Sequence, residues 1–298
     1  MIKSITELVQ HSAKKLDLTI AVAVAEDYHV LEAVHAACKQ QNTKFLLVGN
    51  QEKICTIARE LSVDLTDIEI VHEPDVTKAA YKAVELVSGG RANVLMKGLV
   101  DTSILMKAVF DREIGLRSGK KLSHLAVFEV PTYHKLLFIT DAAINIAPDL
   151  DTKRQMIENA VTAVQKLGTQ QPKVALLAAK EKVDEKMPVT LEYAELVRLN
   201  RADELTGGYV DGPFSVDIAV SKEAGLTKGI DSPVSGEADI LVGPDIEASN
   251  ILYKSLAFLA KSKHGGVVLG AKAPIIMTSR ADSSESKLIA IALSKLCC

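Results

Sequence analysis

LTIAVAVAEDYHVLEAVHAACKQQNTKFLLVG, residues 18–49, is the stretch that decides the fold class. It opens with a run of small and β-branched residues, polar only at Thr19, the pattern of a strand covered on both faces. The next segment, EDYHVLEAVHAACKQQ, places Val30, Val34, Ala37 and Cys38 on one helical face. KFLLVG is then a second strand. Strand, helix and strand within about 30 residues form a β-α-β unit, which requires parallel strands. The first turn holds no glycine: AVAVAEDYHV lacks the GxGxxG pattern of dinucleotide folds.

The same rhythm continues outward. A helix is predicted over 51–61, and IEIVHE is a strand. DVTKAAYKAVELVSGG is a helix closed by Gly89–Gly90, and ANVLMKG is the next strand. The rhythm changes over 122–140, where LSHLAVFEV and HKLLFIT are separated only by Pro131–Thr132–Tyr133. That spacing suits a hairpin-like pair rather than a crossover. Alternation resumes with a helix near 151–167, the strand KVALLA, a helix near 189–201 and a glycine-rich loop, TGGYVDGP. A helix from Ser215, the strand ADILVG, the helix IEASNILYKSLAFLA, the strands GGVVLG and PIIMTS, and a terminal helix ESKLIAIALSK follow. The reading is two α/β domains, 1–125 with 272–298 and 126–271, with no linker rich in Pro, Gly or Ser between them.

Bulk composition limits the function. The chain has 298 residues, 48% hydrophobic and 24% charged, with a net charge of −3. Basic and acidic residues nearly balance, 35 against 38, and neither half is strongly basic, which argues against nucleic-acid binding. No tryptophan and 4% aromatics leave little for base-stacking platforms. Cys38, Cys55, Cys297 and Cys298 form no CxxC pair, so neither zinc nor a disulfide framework is expected. The amino-terminal MIKSITELVQHSAKK is an amphipathic helix pattern, and no apolar run reaches the roughly 18 residues of a membrane span. A cytoplasmic protein without membrane or nucleic-acid partners is expected.

Polar clusters recur at strand ends and helix starts. MKGLVDTS puts Lys97 at a strand end. In TDAAINIAPDLD, Asp141 ends a strand, Asn145 follows and Pro148 breaks the chain, which fits a site or simple turn chemistry. In YVDGPFSVDIAV, Asp211–Gly212–Pro213 is expected as a tight turn, with Ser215 capping a helix that carries Asp217. In GPDIEASNILYK, Asn250 and Lys254 share one helix face and are expected to face inward. APIIMTSRADSSES delivers Ser279 and Arg280 to a strand end, where arginine can grip a phosphate with two parallel bonds. Ligands of open α/β folds gather at the carboxyl ends of strands. Together these clusters suggest a cleft for a small phosphorylated substrate.

These segments, in this order, resemble the phosphate acetyltransferase and phosphate butyryltransferase family, and the chain length is similar to that of the short butyryltransferase branch. KGLVDTS and FITDAAINIAPD resemble it too. The resemblance implies two α/β domains around a cleft, similar to the isocitrate and isopropylmalate dehydrogenase architecture. It implies transfer of a short acyl group, butyryl or branched, between coenzyme A and inorganic phosphate, by thiolate attack on an acyl phosphate. It implies no metal and no permanently bound cofactor, with coenzyme A as substrate, and a homodimer or larger homo-oligomer. By the same resemblance Arg280 holds the phosphoryl group and Ser279 donates toward the reacting carbonyl. Asp211, Gly212, Pro213, Asp217, Asn250 and Lys254 match substrate-binding positions, joined by Lys97, Asp141 and Asn145. One departure stands out. Acetyltransferase members carry an acid seven residues after the serine, proposed as base for the thiol; Ser286 stands there. Asp282 and Glu285 are the nearby candidates. Alternatives are a phosphate acetyltransferase, a non-catalytic coenzyme A or phosphate-binding relative, or a metal-dependent decarboxylase using Asp141, Asp149, Asp151, Asp211 and Asp217.

Overall fold

Residues 2–15, 18–278 and 282–298 are described by the computed structural model of the chain. They form two compact units, 6–120 with 265–298 and 1–5 with 121–264. The chain begins with α1 (Ile5–Ala13), β1 (Thr19–Ala23), α2 (Tyr28–Gln41), β2 (Lys44–Gly49), α3 (Gln51–Glu60), β3 (Glu69–His72), α4 (Val76–Ser88), β4 (Val94–Lys97) and α5 (Thr102–Val109). The second unit carries β5 (Ser123–Glu129), β6 (Leu137–Thr140), α6 (Leu150–Lys166), β7 (Lys173–Leu177), α7 (Val189–Arg201), β8 (Tyr209–Phe214), α8 (Val216–Val220), α9 (Lys222–Thr227), β9 (Ile240–Val242) and α10 (Ile246–Lys254). A π-helical turn, Ser255–Leu259, extends α10, and β10 (Lys263–Leu269) begins in this unit and ends in the first. β11 (Ile275–Ile276) and α11 (Ser284–Cys297) complete the first unit.

The first unit orders its strands β3-β2-β1-β4-β11-β10. All neighbours are parallel except β10 and β11, which meet at Val268 and Ile275. β1 is buried from Ile20 to Ala23, as its unbroken apolar run requires. Ile20, Val22, Leu31, Val34, Leu47, Ile276 and Ile291 belong to one core cluster, so α11 closes over the strands that begin the chain. After each of the first three strands, an Asx side chain caps the helix that follows. Asp27 accepts from the Val30 amide, Asn50 from Lys53 and Asp75 from Lys78, at 2.8, 3.1 and 2.8 Å. Each such cap contributes about 1 kcal/mol and leaves polar side chains at the carboxyl end of the sheet.

α11 buries two lysines. Lys295 is fully buried, and its ammonium donates to the Gln41 carbonyl and to Thr43 Oγ1, the latter at 3.1 Å. Burial lowers its affinity for a proton, against the opposing pull of Cys298. The unfolded lysine, near pKa 10.4, therefore holds its proton more firmly than the folded one. Stability from this group is greatest above that unfolded value and is lost as pH falls through the folded one. The melting temperature of the native chain should gain on that of Lys295→Met as pH rises from 7 to 10. Melts of both proteins at the two pH values check this, and a gap independent of pH would contradict it.

The second unit orders its strands β5-β6-β9-β7-β8. β5 and β6 are antiparallel, as the Pro-Thr-Tyr spacing implied, and the remaining pairs are parallel. One expectation fails here. Asp211–Gly212–Pro213 is not a turn but lies within β8, where Asp211 pairs with Ala175. Proline has no N–H for the ladder, and the register shifts between Ala175 and Leu177, so the turn residues make a bulge instead. Gly212 sits at φ +146°, and a Cβ there would lie 2.8 Å from the Leu176 carbonyl oxygen. PIIMTS also contributes less strand than expected, since β11 spans only Ile275–Ile276.

Candidate functional site

In the first unit, Asp27, Val30, Lys97, Gly98, Leu99, Thr278 and Lys287 line one pocket. Lys97 is the last residue of β4 and is 7% exposed; Lys287, in the first turn of α11, is 3% exposed. Gly98 makes the close approach that holds the pocket's wall. Its amide donates to the Ala23 carbonyl at 2.9 Å, and the Leu99 amide donates to that of Val24 at 2.7 Å. Val24 has φ +60°, a conformation rare for a β-branched residue, and so turns its carbonyl toward Gly98 as the chain leaves β1. Glu26 and Asp27 then follow, with Glu26 accepting from the Asn50 amide at 2.7 Å.

Ser279 and Arg280 lie outside the described residues; Thr278 before them is buried. Asp282 is buried, and its backbone carbonyl accepts from Lys287 Nζ at 2.6 Å. Glu285 is exposed. Ser286 is buried within the cap of α11: Ser283 Oγ accepts from its amide at 3.1 Å and donates to its hydroxyl at 3.2 Å. Burial pushes the Lys287 amine below the ordinary lysine value, opposed by Asp27, Asp282 and Glu32.

In the second unit, Asp141 and Asn145 form a closed loop after β6. The Asp141 carboxylate accepts from the amides of Ala143, Ile144 and Asn145, at 2.9, 3.0 and 3.2 Å, and from Asn145 Nδ2 at 2.6 Å. Asn145 Nδ2 also donates to the Leu122 carbonyl at 2.8 Å. Asn250 ties this loop to α10 by donating to the Ala142 carbonyl at 2.9 Å. The inward-facing expectation for Asn250 and Lys254 is corrected: Asn250 is exposed and Lys254 half-buried. The Lys254 amine instead lies 5.1 Å from the ring centre of Tyr253 and 5.6 Å from that of Phe258. Their helix is capped by Asp245, and its buried positions are Ser249 and Tyr253.

Asp211 accepts from Ser232 Oγ at 2.6 Å and lies 3.5 Å from Arg201. Ser215 stands at the start of α8 without making the side-chain cap bond expected of it. Its hydroxyl donates to Glu181 at 2.8 Å and is bonded to Asp217, while Lys228 bridges Glu181 and Asp217 at 2.8 and 3.0 Å. The Ser215 hydroxyl, then Lys228, hold Asp217 below the usual carboxylate range; for Glu181, Lys228 comes first. The structure thus joins Asp141, Asn145 and Asn250, and gives Asp211 and Asp217 separate partners.

Sequence reading missed Asp27, Thr278 and Lys287. A signal for Lys287 exists: Lys287, Ala290, Ile291, Ser294 and Lys295 fall at helical spacing along one stripe, and all are buried. Two lysines on such a stripe mark amines placed inside. Among the described residues no group of three or more His, Cys, Asp or Glu could hold a metal, so the aspartates weighed for a decarboxylase are not assembled. Among them, too, no helix is long and apolar enough to cross a membrane.

Buried Lys97 at the end of β4 and buried Thr278 stand beside the capped start of α2, at the carboxyl edge of a parallel sheet, the edge where open α/β folds gather their ligands. The chain matches the family described as "Phosphate acetyl/butaryl transferase" over residues 4–77 and 71–294, and it belongs to that family. It is 45% identical to a phosphate butyryltransferase of Clostridium acetobutylicum, covering 99% of this chain and 98% of that protein. It is 44% identical to a phosphate acetyltransferase of Thermotoga maritima, covering 98% of both. Among solved structures, a branched-chain phosphotransacylase from Enterococcus faecalis V583 superposes with a TM-score of 0.85 at 35% identity, covering 94% of this chain and 99% of that one.

Proposed function

We propose that the chain is a phosphate acyltransferase that moves a short acyl group reversibly between coenzyme A and inorganic phosphate. The observation that carries this reading is the first-unit pocket, lined by buried Lys97, Thr278 and Lys287, in a chain of this family. Coenzyme A is a substrate in this reading, with no permanently bound cofactor. The thiolate attacks the acyl carbon of an acyl phosphate held in the same ternary complex. Arg280 grips the phosphoryl oxygens with its planar fork, and Ser279 donates toward the carbonyl oxygen as charge develops there. Lys97 adds a buried positive charge. Asp141, Asn145, Asn250, Lys254, Asp211, Gly212, Pro213 and Asp217 are proposed as substrate-binding positions of the second unit. A cytoplasmic homodimer or larger assembly, and the isocitrate and isopropylmalate dehydrogenase likeness of the fold, belong to the same reading.

The preferred acyl group is butyryl or a branched five-carbon chain. Relatives of both names stand at nearly equal identity, so the support comes from the butyryltransferase and branched-chain relatives together. A series from acetyl- to branched valeryl-coenzyme A, assayed for phosphate-dependent loss of the thioester, tests this. Each added methylene is worth about 1–3 kcal/mol in an apolar pocket, so butyryl, with two more than acetyl, should exceed it in kcat/KM by roughly 30-fold or more. A larger kcat/KM for acetyl would assign the chain to the acetyl branch.

A further inference from the structure

The reaction needs a group that takes the thiol proton; Ser286 stands at the family's acidic position, and neither sequence candidate, Asp282 or Glu285, lines the first-unit pocket. Ser286 is a hydroxyl bound into the α11 cap. Glu285 is exposed. Asp282 does not line the pocket among its described residues, whereas Lys287 does. A helical side chain leans back toward the amino terminus of its helix, and Lys287 accordingly reaches the Asp282 carbonyl five positions earlier. There it shares the pocket with Lys97, Thr278 and Asp27. The carboxylate of Asp27 already caps α2.

We propose that Lys287 is the proton carrier of the transfer, taking the proton of the coenzyme A thiol and returning it to the departing phosphate. This rests on the acyltransferase reading above and deepens it. In the forward direction the neutral amine accepts the S–H proton, and the sulfur forms its bond to the acyl carbon. The bond from that carbon to the phosphate oxygen breaks, and the departing phosphate takes the proton from the ammonium. The amine ends neutral, and acyl phosphate plus thiol has become thioester plus hydrogen phosphate with atoms and charge balanced. Three features favour a neutral amine. Burial penalises the ammonium, the first turn of α11 presents the positive end of a helix, and Lys97 places a second amine on the same pocket. Asp27 and Glu32 of α2 and Asp282 before α11 act the other way, and burial outweighs them.

Lys287→Arg keeps the positive charge but cannot release a proton near neutral pH. Its kcat should fall about 100- to 10,000-fold, the range for loss of a general acid–base group. Lys287→Ala should fall as far, lose the acid limb of the pH–rate profile, and recover with added methylamine in proportion to the free base. A Lys287→Arg enzyme with near-native kcat and an unchanged acid limb would overturn the proposal and make Lys287 an anion anchor. So would a folded Lys287→Ala enzyme that no amine rescues. Should both variants fail to fold, the wild type decides, assayed from acyl-coenzyme A and phosphate so that no thiol is present at the start. Followed as kcat at saturating phosphate, so that the substrate's own nearly temperature-independent ionisation does not set it, the acid limb must move to lower pH on warming, as an amine does; a limb fixed with temperature overturns the proposal. A wild type with no phosphate-dependent turnover would instead remove the acyltransferase reading itself.

Discussion

Gly98→Ala should abolish measurable turnover and destabilise the first unit by about 3 kcal/mol or more, the upper range for overpacking a dense interior. A Cβ at this position would lie 2.1 Å from the Val24 carbonyl oxygen, 2.7 Å from that of Ala23 and 2.8 Å from the Val24 carbonyl carbon. All three atoms are backbone, so no rotamer change relieves the clash. The chain can respond only by separating the carboxyl ends of β1 and β4. That separation would break the bonds from the Gly98 and Leu99 amides and displace both Asp27 and Lys97, which line the pocket. Melting should drop by roughly 6–12 °C, at about 2–4 °C per kcal/mol for a domain of this size. A variant that melts within about 2 °C of the native chain and turns over normally would refute this role for Gly98.

Asp141→Ala should cost about 4 kcal/mol in the second unit, since it strips a charged acceptor from four donors whose bonds are worth about 1.5–3 kcal/mol each and do not add fully. Asp141 is 2% exposed, so water cannot readily take the place of the carboxylate. The freed loop would also release Asn145 from Leu122 and loosen the Ala142 carbonyl that Asn250 holds. We expect kcat/KM to fall by roughly 100-fold, a size reached when binding groups lose their fixed geometry. Asp141→Asn is the informative partner. It preserves shape but turns an NH₂ donor toward donors already present, so it should recover little. Near-native melting of Asp141→Asn would show that the loop does not depend on the carboxylate's charge.

The fold was legible where a single period ruled a segment. The alternation over residues 18–97 read correctly because β1, β2 and β4 are buried and nearly uninterrupted apolar runs, and the helices between the strands carry one apolar stripe, while half-exposed β3 was read from its β-branched residues. The β5–β6 pair read correctly because three residues cannot hold a crossover. Asp211–Gly212–Pro213 misled because turn residues also serve bulges, and only pairing with β7 distinguishes the two. Asn250 and Lys254 misled because Pro-Asp marks a helix start without fixing which face turns inward. The pocket was half legible. Lys97 could be read as a strand-end amine. Lys287 left a signal in its helical spacing with Ala290, Ile291, Ser294 and Lys295, but one easily passed over, because lysine on an apolar stripe looks like a flaw in the pattern until the burial of that stripe is seen.

The central claim is that this chain exchanges phosphate for coenzyme A on a short acyl group. The most direct test mixes purified protein with butyryl-coenzyme A, with and without inorganic phosphate. Loss of the thioester is followed by absorbance, and acyl phosphate is trapped as the hydroxamate. The account predicts thioester loss only when phosphate is present, with one acyl phosphate and one free thiol formed for each thioester consumed. Thioester loss at the same rate without phosphate, or none in its presence, would contradict it.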